Sequence, residues 1–155
     1  MGLWNNFKIK TNIKANNSNI FFHYEKGIDK ELRQQYIAFA RWLRKNYRFP
    51  VRVNVYIVNS EKIELLNGNL AYGSFRWYKN RPPIIKIPSA ITRETNETYS
   101  KEDIYYSILS SLVHEITHYF QWITYSNQND NSSERQANYY RFRILDLYNK
   151  NTSIK

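Results

Sequence analysis

Two of the chain's 3 histidines, His114 and His118, stand four residues apart, and Glu115 directly follows the first. On a helix, residues i and i+4 share a face, so this His-Glu-x-x-His spacing can aim two imidazoles at one cation. Glu115 lies one position round from His114, off the ligand line. From there its carboxylate can reach a water held by the metal without displacing it. Zinc accepts nitrogen ligands at a tetrahedral centre, and a catalytic zinc takes three protein ligands while keeping one position for water. With Cys 0, neither a thiolate cluster nor a cysteine nucleophile is available, so the third ligand must be a His or a carboxylate. The candidates are His23, Asp130, Glu134 and Asp146. Glu134 is preferred, because it comes 16 residues after His118, at the start of a helix that follows a loop. That helix can pack back on the first and direct a carboxylate at the metal. Asn138, one turn further on, could accept the outer N–H of a ligating imidazole. The competing role for Glu134 is that of a simple helix cap.

The elements that must hold these groups follow from periodicity. Ser100-x-x-Asp103 caps a helix running to about Ile123, with Ile104, Ile108, Leu112, Ile116 and Ile123 at helical spacing. A polar loop, Ser126–Asn131, leads into a last helix from about Ser132 to Tyr148, for which Asn131-x-x-Glu134 is a possible capping box. Upstream, Val51–Val58 alternates and is β-branched, the clearest strand signal in the chain. Further extended pieces are expected around Leu70–Tyr78 and Ile84–Ile87, joined by a turn containing Pro82 and Pro83, which suggests a sheet edge. Residues 7–24 read as extended (Phe7, Ile9 and Ile13, then Ile20 to Tyr24) around an Asn-rich turn at Asn16 to Asn19. A helix from about Asp29 to Tyr47 carries an apolar face of Leu32, Tyr36, Phe39 or Ala40, Leu43 and Tyr47, and Pro50 closes it. The expected class is α+β: a compact single domain, residues 1–155, with a small mixed or antiparallel sheet. Within it, strands and a basic helix span 1–48, the sheet 50–90 and the metal-site helices 100–149.

His114-Glu115-Ile116-Thr117-His118 followed by Glu134-Arg135-Gln136-Ala137-Asn138 resembles the gluzincins, metallopeptidases with H-E-x-x-H and a downstream Glu ligand. Glu134, Ala137 and Asn138 are similar to the E-x-x-A-N segment of ImmA/IrrE-type peptidases, bacterial regulators that act on repressor proteins. Ala71-Tyr72-Gly73 and Ile85-Lys86-Ile87-Pro88 resemble the SprT-like layout, whose third His has no counterpart after His118. The resemblance covers roughly residues 50–148. It implies a zincin-like fold, a bound Zn²⁺ and hydrolysis of a peptide bond in a protein substrate. His114, His118 and Glu134 would be the ligands, with Glu115 as general base. No helix-turn-helix accompanies the motif.

An edge strand recruits an extended peptide through its unpaired backbone groups. Leu70 to Phe75 is the candidate for that role, with Ala71, Tyr72 and Gly73 allowing close approach. The oxyanion formed on an attacked carbonyl needs a donor besides the metal, and Tyr125, Tyr139 and Tyr140 are near enough in sequence to supply it. The 155 residues are 42% hydrophobic, which excludes general disorder. Formal charge is +10, with ten basic and three acidic side chains in residues 1–48. Arg41, Arg44, Lys45 and Arg48, interleaved with Trp42 and Tyr47, make weak nucleic-acid binding one rival reading. In that reading the metal is structural. A second rival is a metallopeptidase-like regulator that binds a partner without cutting it. The start of the chain has no apolar signal core and no run is long enough to cross a membrane, so a cytoplasmic, membrane-free protein is expected.

Overall fold

The computed structural model of the protein describes residues 2–9, 19–125 and 128–153. Ile13, Asn16 to Ser18, and Ser126 and Asn127 lie outside these residues. The described chain is α+β, with four helices and a small mixed sheet.

Strand β1 (Ile20–Tyr24) and strand β2 (Val53–Val58) are parallel, with Ile20 opposite Val53. Parallel neighbours need a crossover, and helix α1 (Lys30–Asn46) supplies it. Asp29 caps that helix, its carboxylate accepting the Leu32 N–H at 2.9 Å. Leu32, Tyr36, Phe39, Ala40, Trp42 and Leu43 are buried along it. The aromatics of the basic segment therefore face the core. Of its cations, Arg41, Lys45 and Arg48 are exposed; Arg44 is half-buried and donates to the Ile20 carbonyl.

After β2 come β3 (Ile63–Glu64) and β4 (Leu70–Ala71), a separate antiparallel hairpin. It turns at Asn67-Gly68, where Gly68 has φ 85. Then β5 (Ser74–Arg76) pairs antiparallel with β6 (Ile84–Pro88), and β6 lies parallel to β2. The sheet order is β1-β2-β6-β5. Alternation decides its faces: Ile20, Val53, Val55, Ile57, Ile85 and Ile87 are buried, while His23, Tyr56 and Lys86 are exposed. Helix α2 (Arg93–Thr98) precedes the two long helices, α3 (Lys101–Ile123) and α4 (Asp130–Ser153). Residues of the N-terminal turn, the sheet, α1, α3 and α4 share one hydrophobic cluster. Among the described residues, no helix is long and apolar enough to cross a membrane.

Several expectations need correcting. Phe7 is not in a strand: Trp4–Phe7 form a 3-10 turn that puts Trp4 and Phe7, three apart, on one side, both buried. Leu70–Tyr78 is not one strand, because the chain leaves one sheet after Ala71 and joins the other at Ser74, passing Gly73 close beside α3. Pro82 and Pro83 lie between the edge strand and an inner one. They sit in the turn outside the ladder, the Pro83 carbonyl accepting the Asn54 N–H at 3.2 Å; the strand before them, β5, is the sheet edge, and the strand after them is flanked on both sides. Helix α4 begins at Asp130, with Asn129 accepting the Ser132 N–H at 2.8 Å, so Asn131 lies inside the helix and is not its cap. Helix α2 buries no residue, so it left no apolar period to read.

Candidate metal centre

Helix α3 starts where expected: Ser100 accepts the Asp103 N–H at 3.1 Å. Its middle is buried all round, including the polar Ser110, Ser111, Glu115, Thr117 and Gln121. Behind it, the Trp4 indole N–H donates to Thr117 Oγ1 at 3.0 Å, while Phe7 stacks on Phe120 at 4.2 Å. The N-terminal turn thus braces the helix at Thr117 and Phe120.

In front, the two Nε2 atoms of His114 and His118 are 3.2 Å apart. Glu134, in the second turn of α4, reaches both: its Oε1 is 2.7 Å from His118 Nε2 and its Oε2 is 3.2 Å from His114 Nε2. Glu115 Oε2 stands further off, 4.0 Å from His114 Nε2. Donor atoms of His114, Glu115 and His118 all fall within 4.8 Å of one another.

The hydrogen bonds around His118 identify its ligand nitrogen. Gln121 Nε2 donates to the Ser133 carbonyl at 3.1 Å and to Gln136 Oε1 at 2.8 Å, which fixes Gln121 Oε1 as an acceptor. That oxygen is 2.8 Å from His118 Nδ1 and also accepts the Ser133 hydroxyl at 2.7 Å. Nδ1 therefore donates to Gln121, which leaves Nε2 as the ring nitrogen facing Glu134 and His114. A tetrahedral zinc with ligand bonds of 2.0–2.1 Å spaces its ligand atoms by about 3.3 Å. The donor set fits such a cation, and two of its three spacings, at 3.2 Å, match it.

Burial, with His118 adding to it, pushes His114 down to about 4, so its ring stays neutral at pH 7. Burial likewise pushes the Glu115 carboxyl up to about 8; Glu134 raises it further and Arg141 opposes. Gly73 lies against this carboxyl: a methyl group there would sit 3.0 Å from Glu115 Oε2, 3.2 Å from its Cγ and 3.3 Å from Ile87 Cδ1.

Two clefts open from the centre. One, of about 630 Å³, is lined by Ala71, Tyr72, Gly73, Ser74, Ser107, Ser111 and Arg141 together with His114, Glu115, His118 and Glu134. The other, of about 540 Å³, is walled by Phe75, Trp77, Trp122 and Tyr125 and shares His118 and Glu134. Of the residues expected at the site, His114, Glu115, His118, Glu134, Ala71, Tyr72 and Gly73 come together. Asn138 lies beside His114 and favours a proton there, yet it is exposed, and the buried His114 Nδ1 has no hydrogen bond.

The other third-ligand candidates stand elsewhere. His23 is exposed on β1, bonded to Asn54 at 3.1 Å and stacked on Tyr56. Asp146 accepts from the Tyr106 hydroxyl at 2.8 Å. Asp130 lines the aromatic cleft from the first turn of α4. Tyr140 is engaged with the Leu3 N–H at 2.8 Å, and Tyr139 packs under Arg143. Tyr125 is 88% exposed at the cleft rim. Sequence reasoning missed Gln121, Ser133 and Arg141. Their signal was spacing: Gln121 is three past His118, Ser133 adjoins Glu134, and Arg141 is two turns past it.

Compared with protein-family models, curated proteins and solved structures, the chain matches none.

Proposed function

We propose that the chain is a zinc-dependent peptidase of the gluzincin type with a zincin-like fold, suited to a reducing compartment such as the cytoplasm. The observation that carries this reading is the convergence of His114 Nε2, His118 Nε2 and the Glu134 carboxylate, with a buried Glu115 beside them. His114, His118 and Glu134 would hold the cation. When bound, zinc supplies a Lewis acid that polarises a peptide carbonyl and acidifies a water. Glu115 Oε2 takes one proton from the attacking water, whose oxygen adds to the carbonyl carbon. The C–N bond then breaks, and Glu115 returns that proton to the leaving nitrogen. Burial strengthens this carboxylate as a base. Ser74 and its neighbours on the free edge of β5 would hold the substrate backbone.

The test is digestion of a proteome-derived peptide mixture by zinc-loaded protein, with new termini mapped by mass spectrometry. New termini are expected with the wild type. Glu115→Gln should keep one equivalent of zinc and lose on the order of 10²-fold or more in rate. Equal cutting by the Gln variant, or no cutting by the wild type, would overturn the proposal.

A further inference from the structure

Arg141 is the one arginine or lysine among the described residues lining the two clefts. It projects from α4 two turns past Glu134, on the same face. Its Nη2 is held by Ser110 Oγ at 3.1 Å and Ser111 Oγ at 3.4 Å. Its Nε is buried without an acceptor. Among the described residues, no carboxylate lies within ion-pair distance of it, although Glu115 and Glu134 act on it through space. A half-buried guanidinium held by two neutral hydroxyls is short of the partner it binds best, a carboxylate. Neutral hydroxyls orient it without cancelling its charge.

Its position decides between two uses. Ser110 and Ser111 lie one turn before His114 and two before His118, so the guanidinium sits about 8 Å along the helix from the level midway between the two histidines. That is too far to touch an oxygen on the attacked carbonyl. It matches a group about two or three residues along an extended peptide. Strand β5 runs from Ser74, in the Arg141 cleft, towards Trp77, in the aromatic cleft. A peptide paired antiparallel to β5, the more stable arrangement, presents its C-terminal side to Arg141.

Resting on the peptidase reading, we propose that Arg141 selects substrates carrying a carboxylate about two or three residues C-terminal to the cleaved bond. Two sources offer that chemistry: an acidic side chain and a free chain terminus. Arg141 is a specificity residue, and it takes no part in the proton transfers.

The test uses three fluorescent peptides with an N-terminal malonyl hydroxamate, which grips the metal whether or not hydrolysis occurs. One has Glu as its second residue and an amidated end. The second has Gln and a free carboxyl end directly after it, and the third has Gln and an amidated end. Zinc-loaded wild type should bind one or both carboxylate peptides at least about tenfold more tightly than the neutral one, and which of them it prefers names the source. Arg141→Gln should bring carboxylate binding down to the neutral level and leave neutral binding unchanged, while Arg141→Lys should keep part of the preference. Equal binding of all three by wild type would overturn the inference without recourse to a variant. So would a parallel loss for all three in Arg141→Gln, the result expected of a merely structural bridge to α3. Binding of none would instead overturn the metal-centre reading itself, and this inference with it.

Discussion

Glu115 is a buried carboxyl, and its proton affinity is set first by that burial. In metal-free protein the folded state holds its carboxyl up to about 8, against an ordinary 4.5. The sign follows: the folded chain keeps a proton that the unfolded chain releases, so stability from this group is full below about 4.5 and is lost as pH rises towards 8. Glu115→Gln has no such loss. With chelator present, its stability relative to wild type should therefore grow between pH 5 and 8 in urea unfolding; a difference that shrinks would contradict the burial argument. His114 is present in both proteins and cancels. Gly73 offers a second probe at this scale. Gly73→Ala places a methyl group 3.0 Å from Glu115 Oε2, with Ile87 behind, so the carboxyl must move. Zinc binding should be unchanged while peptide hydrolysis falls on the order of tenfold to 10²-fold. Hydrolysis at the wild-type rate would place the base elsewhere. The sequence already marked Glu115 by its place in the motif, but the role of Gly73 depends on which strand turns past α3, which no local spacing encodes.

Helices α3 and α4 were legible as elements because each has a strong signal: Ser100 caps one, and buried positions repeat along the other at Ala137, Ile144, Leu145 and Tyr148. Their pairing was only partly legible. Gln121, Ser133 and Gln136 interlock across the two helices and orient His118, yet each is an ordinary polar residue when read alone. Gln121→Ala should lower zinc affinity about tenfold, with little change in folding, as loss of a ligand-orienting partner does. A zinc titration that leaves the affinity unaltered would remove the orienting role. The 3-10 turn was missed because two apolar residues three apart in an Asn-rich stretch do not outweigh an extended reading. Trp4 is nonetheless 1% exposed, edge-on to Phe120 at 4.9 Å and bonded to Thr117. Trp4→Ala should cost about 3–5 kcal/mol in denaturant unfolding, and a cost under about 1 kcal/mol would mean that the turn does not brace α3.

At the scale of the whole molecule, the sheet, α1 and the N-terminal turn form the support on which α3 and α4 meet, and most of the described lysines and arginines are exposed. The inward-facing cation of the clefts is Arg141. The α+β class was readable from element order, since β2, α1 and α3 each carry a clear period. Sheet order was not, because β5 and β6 form a local hairpin while β1 reaches β2 only across a 17-residue helix. What the molecule assembles is a place where two imidazoles and one carboxylate meet, and zinc titration of variants tests that most directly. Wild type should bind one equivalent. Glu134→Ala should bind at least about tenfold more weakly, while His23→Ala, Asp130→Ala and Asp146→Ala should match wild type. A Glu134 variant that binds zinc like wild type, or a His23 variant that loses it, would contradict the assignment of the centre.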